Sequence, residues 1–182
     1  MSIGKKFQKI RVTAGYVFTI VFLFFCRPTM NLLIAGLAVA VVGVLIRAWA
    51  CGHLRKGSEL DVSGPYGYTR NPLYLGSLLI AVGFGIASGV WWLALIAIIF
   101  FVSIYWPVIN VETVELEKFI GDEYREYAAN VPVFLPRASR WKKSAKGFDF
   151  QLYLKNGEYN AALGVLAAAI FLVIKAYYQG SL

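Results

Sequence analysis

The chain has 182 residues, 59% of them hydrophobic and only 15% charged, with a mean hydropathy of +0.62. A soluble domain carries about 25% charged residues, so these values exclude an ordinary soluble globular class and leave a single membrane domain over residues 1–182. The formal net charge of +8 suits an anionic surface. In so apolar a chain membrane topology accounts for the basic residues, and nucleic acid is not expected as a partner.

Five apolar runs follow one another. Residues 1–11 are basic, and the first run, 12–26, lacks a small-residue cleavage site, so it is expected to remain as a helix. It is short for a hydrocarbon core of about 30 Å, and Arg11 and Arg27 can snorkel to lengthen it. The second run, 30–50, is broken only by Arg47. The third, 72–87, has Asn71 at the N-cap position and Pro72 at the first helical position, and Ser88-Gly89 turns the chain back. The fourth, 90–109, lies between Trp91-Trp92 and Trp106-Pro107, which resembles the aromatic belts of a span. The fifth, 159–174, ends at Lys175 and Tyr177-Tyr178. The expected fold is all-α and integral to the membrane, with five transmembrane helices and a helical segment outside the bilayer. Cys26 and Cys51 sit at ends of apolar runs and suggest no disulfide framework.

Lysine and arginine set the expected orientation. Apart from Arg27, Lys175 and Arg47, which lies within the second run, they fall before the first span, between the second and third, and between the fourth and fifth. The positive-inside rule places those segments in the cytoplasm and the C-terminus opposite. All ten acidic residues share that side, so the chemistry is expected there.

Residues 110–129 have helical spacing, with Leu116, Phe119, Ile120, Tyr124 and Tyr127 recurring at steps of three and four. Glu112 shares the apolar face and requires a partner. Val131–Pro136 reads as a proline-braced extended piece, and Arg137–Lys146 as a solvated strip against anionic headgroups.

The most informative stretch is Gly64-Pro-Tyr-Gly-Tyr-Thr-Arg-Asn-Pro-Leu-Tyr-Leu-Gly76. Its glycines permit close backbone approach, and Tyr66, Tyr68 and Tyr74 supply aromatic faces with hydroxyl tips. Arg70 offers a planar fork for a carboxylate just before a helix N-terminus that itself favours anions. These are parts for a ligand with an anionic end and an aromatic or cationic portion. The same residues also suit a plain turn, a helix start and a membrane interface. His53, alone of its kind, is a candidate general base or, more simply, a solvated loop residue. One His and two distant Cys make no zinc site.

Leu60–Gly76, with the sequence LDVSGPYGYTRNPLYLG, resembles the signature of the isoprenylcysteine carboxyl methyltransferase and phospholipid methyltransferase superfamily. That pattern is Leu-Val-x-x-Gly-x-Tyr followed by Arg-His-Pro-x-Tyr-x-Gly. A second block of the superfamily is similar to Glu112–Tyr127, followed by Val131 and Pro136. The two blocks span about residues 50–136, the expected catalytic core. The resemblance implies an integral membrane enzyme that uses S-adenosyl-L-methionine and releases S-adenosyl-L-homocysteine. Its cofactor contacts carry over to Ser58, Glu59, Leu60 and Asp61, then Tyr66, then Asn71, Pro72, Leu73 and Tyr74, and finally Glu112; Arg70 joins them on its own chemistry. Glu112 can alternatively form an ion pair with Arg70 or Arg47.

The chain departs from the pattern at four places. Asn71 replaces a histidine, Thr113 the second glutamate, Val108 an arginine that meets a substrate carboxylate, and Cys51 a cofactor-contacting glutamine. Arg47 is a candidate to supply the missing charge and Glu59 a candidate base. The acceptor is expected to be lipophilic and to enter from the bilayer, as an isoprenylcysteine-like carboxylate or a lipid amine. A nicotinamide-dependent membrane reductase and a non-enzymatic membrane scaffold are the alternatives.

Overall fold

A computed structural model of the chain describes residues 15, 17–55 and 60–181. Among these it is all-helical: α1 (residues 17–25), α2 (Met30–Cys51), a 3-10 turn (Gly64–Gly67), α3 (Pro72–Ala87), α4 (Trp91–Ile120), α5 (Asp122–Asn130), α6 (Phe150–Lys155) and α7 (Tyr159–Tyr178). Among the described residues three helices, α2, α4 and α7, are long and apolar enough to cross a membrane. α3 is equally apolar but shorter, and part of the expected first span, residues 12–14 and 16, lies outside the described residues. Large apolar side chains such as Phe24, Leu45, Ile99 and Leu163 face outward along these helices. That is the arrangement of a protein whose solvent is lipid.

Lipid gives no hydrophobic reward for helix pairing, so close packing must come from small residues. α2 and α3 meet in this way. A Cβ on Gly36 would lie 2.3 Å from the Gly83 carbonyl oxygen, and one on Gly43 would lie 2.5 Å from that of Gly76. The end of the bundle away from the Gly64–Gly67 turn is closed by a cluster in which Cys26, Leu33, Ala87, Leu93, Leu172 and Ala176 pack together. There the Lys175 ammonium donates to the carbonyls of Leu23 and Phe24 at the end of α1.

One element differs from expectation. The sequence suggests a span ending near Trp106-Pro107 and a separate helix over 110–129, whereas α4 runs unbroken through Pro107 to Ile120. Proline removes one backbone donor, a loss that membrane helices tolerate. The break comes instead at Gly121, whose φ of 76° suits glycine. Asp122 and Glu123 then start α5, where negative charge complements the helix dipole. At 1.5 Å per residue α4 is about 45 Å long, so roughly 15 Å of it projects beyond a 30 Å core. That projection brings Glu112 alongside the Gly64–Gly76 stretch.

Candidate functional site

The site is built around the 3-10 turn. Gly64, at φ 53°, packs so tightly on the His53 ring that a Cβ would lie 2.4 Å from it, and Gly67 is covered by the Arg140 stem. Ser63 Oγ and His53 Nδ1 are 2.9 Å apart. His53 is therefore buried rather than solvated, between the turn, Trp49 and Phe148. Burial, then the charges of Arg140 and Arg55, hold its pKa below the usual 6.5.

The chain after the turn is held by the proline-braced segment. Asn71 Nδ2 donates to the Val133 carbonyl (2.8 Å) and Thr69 Oγ1 to that of Phe134 (2.8 Å). The backbone N–H groups of Arg70, Arg137 and Trp141 donate to Pro132, Tyr68 and Gly67 carbonyls in turn. Residues 132–141 thus form a strap beneath residues 67–71. Arg137 and Arg140 belong to it and are half-buried, so the expected solvated strip is solvated only in its later part. Asn71 occupies the N-cap position of α3, but its side chain serves the strap and makes no cap bond.

A cavity of about 290 Å³ opens between this stretch, the loop before it, the end of α4 and α5. Of the residues singled out from the sequence, Leu60, Asp61, Tyr66, Arg70, Asn71 and Glu112 line it. Tyr66 is 8% exposed, and its hydroxyl has no partner among the described residues. Burial raises its pKa far above the ordinary phenol value, so the hydroxyl keeps its proton. Arg70 Nε is likewise buried without an acceptor. Asp61 is buried, accepts from the Arg55 backbone N–H (2.5 Å) and sits 3.8 Å from the Arg55 guanidinium. Glu112 is exposed and accepts a hydrogen bond from the Tyr74 hydroxyl (2.8 Å), so its partner is Tyr74 and not Arg47 or Arg70. Tyr74 in turn packs on Tyr105.

Other candidates stand elsewhere. Ser58 and Glu59 lie outside the described residues. Pro72 faces a separate, apolar cleft with Trp49 and Tyr68, and the Leu73 carbonyl accepts from Arg47. Arg47 is committed to a tie between helices. Its Nε and Nη2 donate to Glu158 at the start of α7 (2.6 and 3.0 Å) and its Nη1 to Ser77 of α3 (2.5 Å).

The cavity also has walls that were not singled out as ligand-binding. Arg55 is one of them, one of the basic residues between the second and third runs. Tyr124 and Tyr127 are others, and their spacing in the second block is a usable sequence signal. Tyr127 donates its hydroxyl to the Tyr66 carbonyl (2.8 Å) and packs with Tyr124 and Val131 as a small core under the cavity. Its own pKa is raised by burial. Among the described residues no group of three or more His, Cys, Asp or Glu gathers to hold a metal. Chemically, the cavity wall offers three phenols, two guanidiniums and two carboxylates among apolar side chains.

Comparison with known proteins bears on this arrangement. Cobalt-zinc-cadmium resistance protein CzcN of Cupriavidus metallidurans is 27% identical over 147 residues, covering 78% of this chain and 63% of that protein. Nickel-cobalt-cadmium resistance protein NccN of Alcaligenes xylosoxydans xylosoxydans is 33% identical over 112 residues, covering 60% of this chain and 51% of that protein. The chain thus spans between half and two thirds of the length of these relatives. No solved structure matches it significantly. The sequence model for phospholipid methyltransferases matches residues 32–123, just over half of the chain and including most of the cavity's lining, and the chain belongs to the phospholipid methyltransferase family.

Proposed function

We propose that the protein transfers a methyl group from S-adenosyl-L-methionine to a lipophilic acceptor held in the bilayer, with its catalytic core in about residues 50–136. The observation that carries this reading is a pair of groups in the residues of the cavity wall: the Arg70 Nε and the Tyr66 hydroxyl, both buried without a partner among the described residues. Buried polar groups left unsatisfied cost about 1–3 kcal/mol each, so they favour a ligand that satisfies them. Their chemistry fits this cofactor, whose amino-acid end is zwitterionic and whose nucleoside end is polar and aromatic.

When bound, the cofactor supplies an electrophilic methyl group on a sulfonium. Arg70 then receives the carboxylate, and the Asp61 and Glu112 carboxylates accept from the amino group and the ribose. Tyr66, locked in its protonated form, donates without changing charge. Tyr74 fixes the Glu112 carboxylate from the α3 side. Leu60, Leu116 and Ile120 exclude water from the reacting line, and alignment of the two reactants accounts for the rate. The cavity stands at the end of α4 that projects beyond the core, which we assign to the cytoplasmic side, with the first helix and α3 completing five spans. A carboxylate acceptor arrives ionised and needs no base, while a lipid amine must first lose a proton.

Membership of a methyltransferase family weighs against a nicotinamide-dependent reductase. The test is transfer itself: purified protein, radiolabelled S-adenosyl-L-methionine and a total lipid extract. Label is expected in a lipid fraction, absent with Arg70→Gln. Label in no fraction, from protein that binds the cofactor, contradicts a lipid acceptor.

A further inference from the structure

Phe148–Lys155 takes no part in the cavity, yet it carries an unusual surface. Phe148, Phe150 and Leu154 are 50%, 61% and 46% exposed. Phe150 and Leu154 are one helical turn apart on α6 and so share a face. Asp149 caps that short helix, accepting from the Gln151 and Leu152 N–H groups. α7, long and apolar enough to span, begins only four residues after α6 ends, so α6 stands at the bilayer surface. Residues 137–155 contain six basic residues and a single acid, Asp149. Lys155, at the end of α6, and Lys143, before it in the chain, are both exposed. Apolar side chains beside exposed lysines, at membrane level, match a surface of anionic lipid.

The element is also latched to the loop that enters the cavity. Asn156 Nδ2 donates to the carbonyls of Cys51 and Leu54 (3.0 and 3.2 Å), and the Asp149 N–H to that of Gly52 (2.9 Å). Phe148 packs on Gly52, where a Cβ would lie 2.1 Å from its ring. Leu54 and Arg55 of this loop line the cavity.

We propose that Phe148–Lys155 is a docking element for anionic lipid headgroups, lying in the membrane plane and fixing the Cys51–Arg55 loop from below. The inference is independent of which cofactor the cavity takes. Nitroxide labels at Phe150→Cys and Leu154→Cys report it, because the native Cys26 and Cys51 are buried. In nanodiscs of phosphatidylcholine mixed with phosphatidylglycerol, both labels are expected to be more accessible to oxygen than to an aqueous nickel complex. Hydrogen exchange on the unlabelled chain gives a second readout. Amides 150–155 are expected to exchange more slowly in the anionic nanodiscs than in pure phosphatidylcholine. Lys143→Gln and Lys155→Gln are each expected to remove up to about fivefold of that protection. Labels more accessible to nickel in both bilayers overturn the docking. Equal exchange in both bilayers overturns the assignment to anionic lipid.

Discussion

At the scale of single residues, the cavity is defined by groups that the protein leaves unpaired. The Tyr66 hydroxyl is the sharpest case, because removing it takes nothing from the folded protein. Tyr66→Phe is expected to raise the stability of the unliganded protein by about 1–3 kcal/mol, yet to weaken S-adenosyl-L-homocysteine binding about tenfold, as calorimetry would record. Asn71→Ala is expected to behave oppositely, costing about 1–3 kcal/mol by stranding the Val133 carbonyl. His53 adds a pH dependence. Its pKa is lowered in the folded protein, so the unfolded chain binds the extra proton first. Stability is then complete above the usual 6.5 and falls as pH drops below it, a slope that His53→Gln should flatten in unfolding curves. Most of these residues were legible, since Tyr66, Arg70 and Glu112 sit in a recognisable pattern. The burial of His53 was not, because it depends on the Gly64 contact and on Phe148, ninety-five residues away in the chain.

At the scale of elements, apolar runs foretold α2, α3 and α7 to within a few residues, since lipid forces each run to satisfy its own backbone. Proline was misleading at position 107, where a membrane helix continues, and Gly121 set the true break. Two elements are joined by chemistry that the sequence could not announce. Arg47 was free to be a substrate contact on sequence alone, and only the fold brings Glu158, 111 positions on, against it. Glu158→Ala is expected to destabilise by about 3–5 kcal/mol in detergent unfolding by leaving the guanidinium unpaired, and Arg47→Ala/Glu158→Ala to cost less than the sum of the single changes. The α2–α3 contact makes a different prediction. Gly83→Leu cannot be accommodated against the Gly36 carbonyl and the Ala40 backbone, whereas a Cβ at Gly164 meets nothing within 4 Å, leaving room to begin a side chain in Gly164→Leu. Loss of folded protein in the first and its retention in the second would be read by size-exclusion chromatography.

At the scale of the whole molecule, a bundle with lipid-facing apolar sides carries its polar groups at one end, where a strap, a turn and the projecting part of α4 enclose a cavity. The two blocks of the family pattern were readable as separate segments. Their meeting was not, because it rests on hydrogen bonds between residues 67–71 and 132–141 and on the unbroken length of α4. The account stands on the claim that this cavity holds S-adenosyl-L-methionine. Titration calorimetry of S-adenosyl-L-homocysteine into folded protein in nanodiscs tests it most directly. One site per chain is predicted, with affinity lowered at least about tenfold by Arg70→Gln. Folded wild-type protein that takes up no S-adenosyl-L-homocysteine would contradict it.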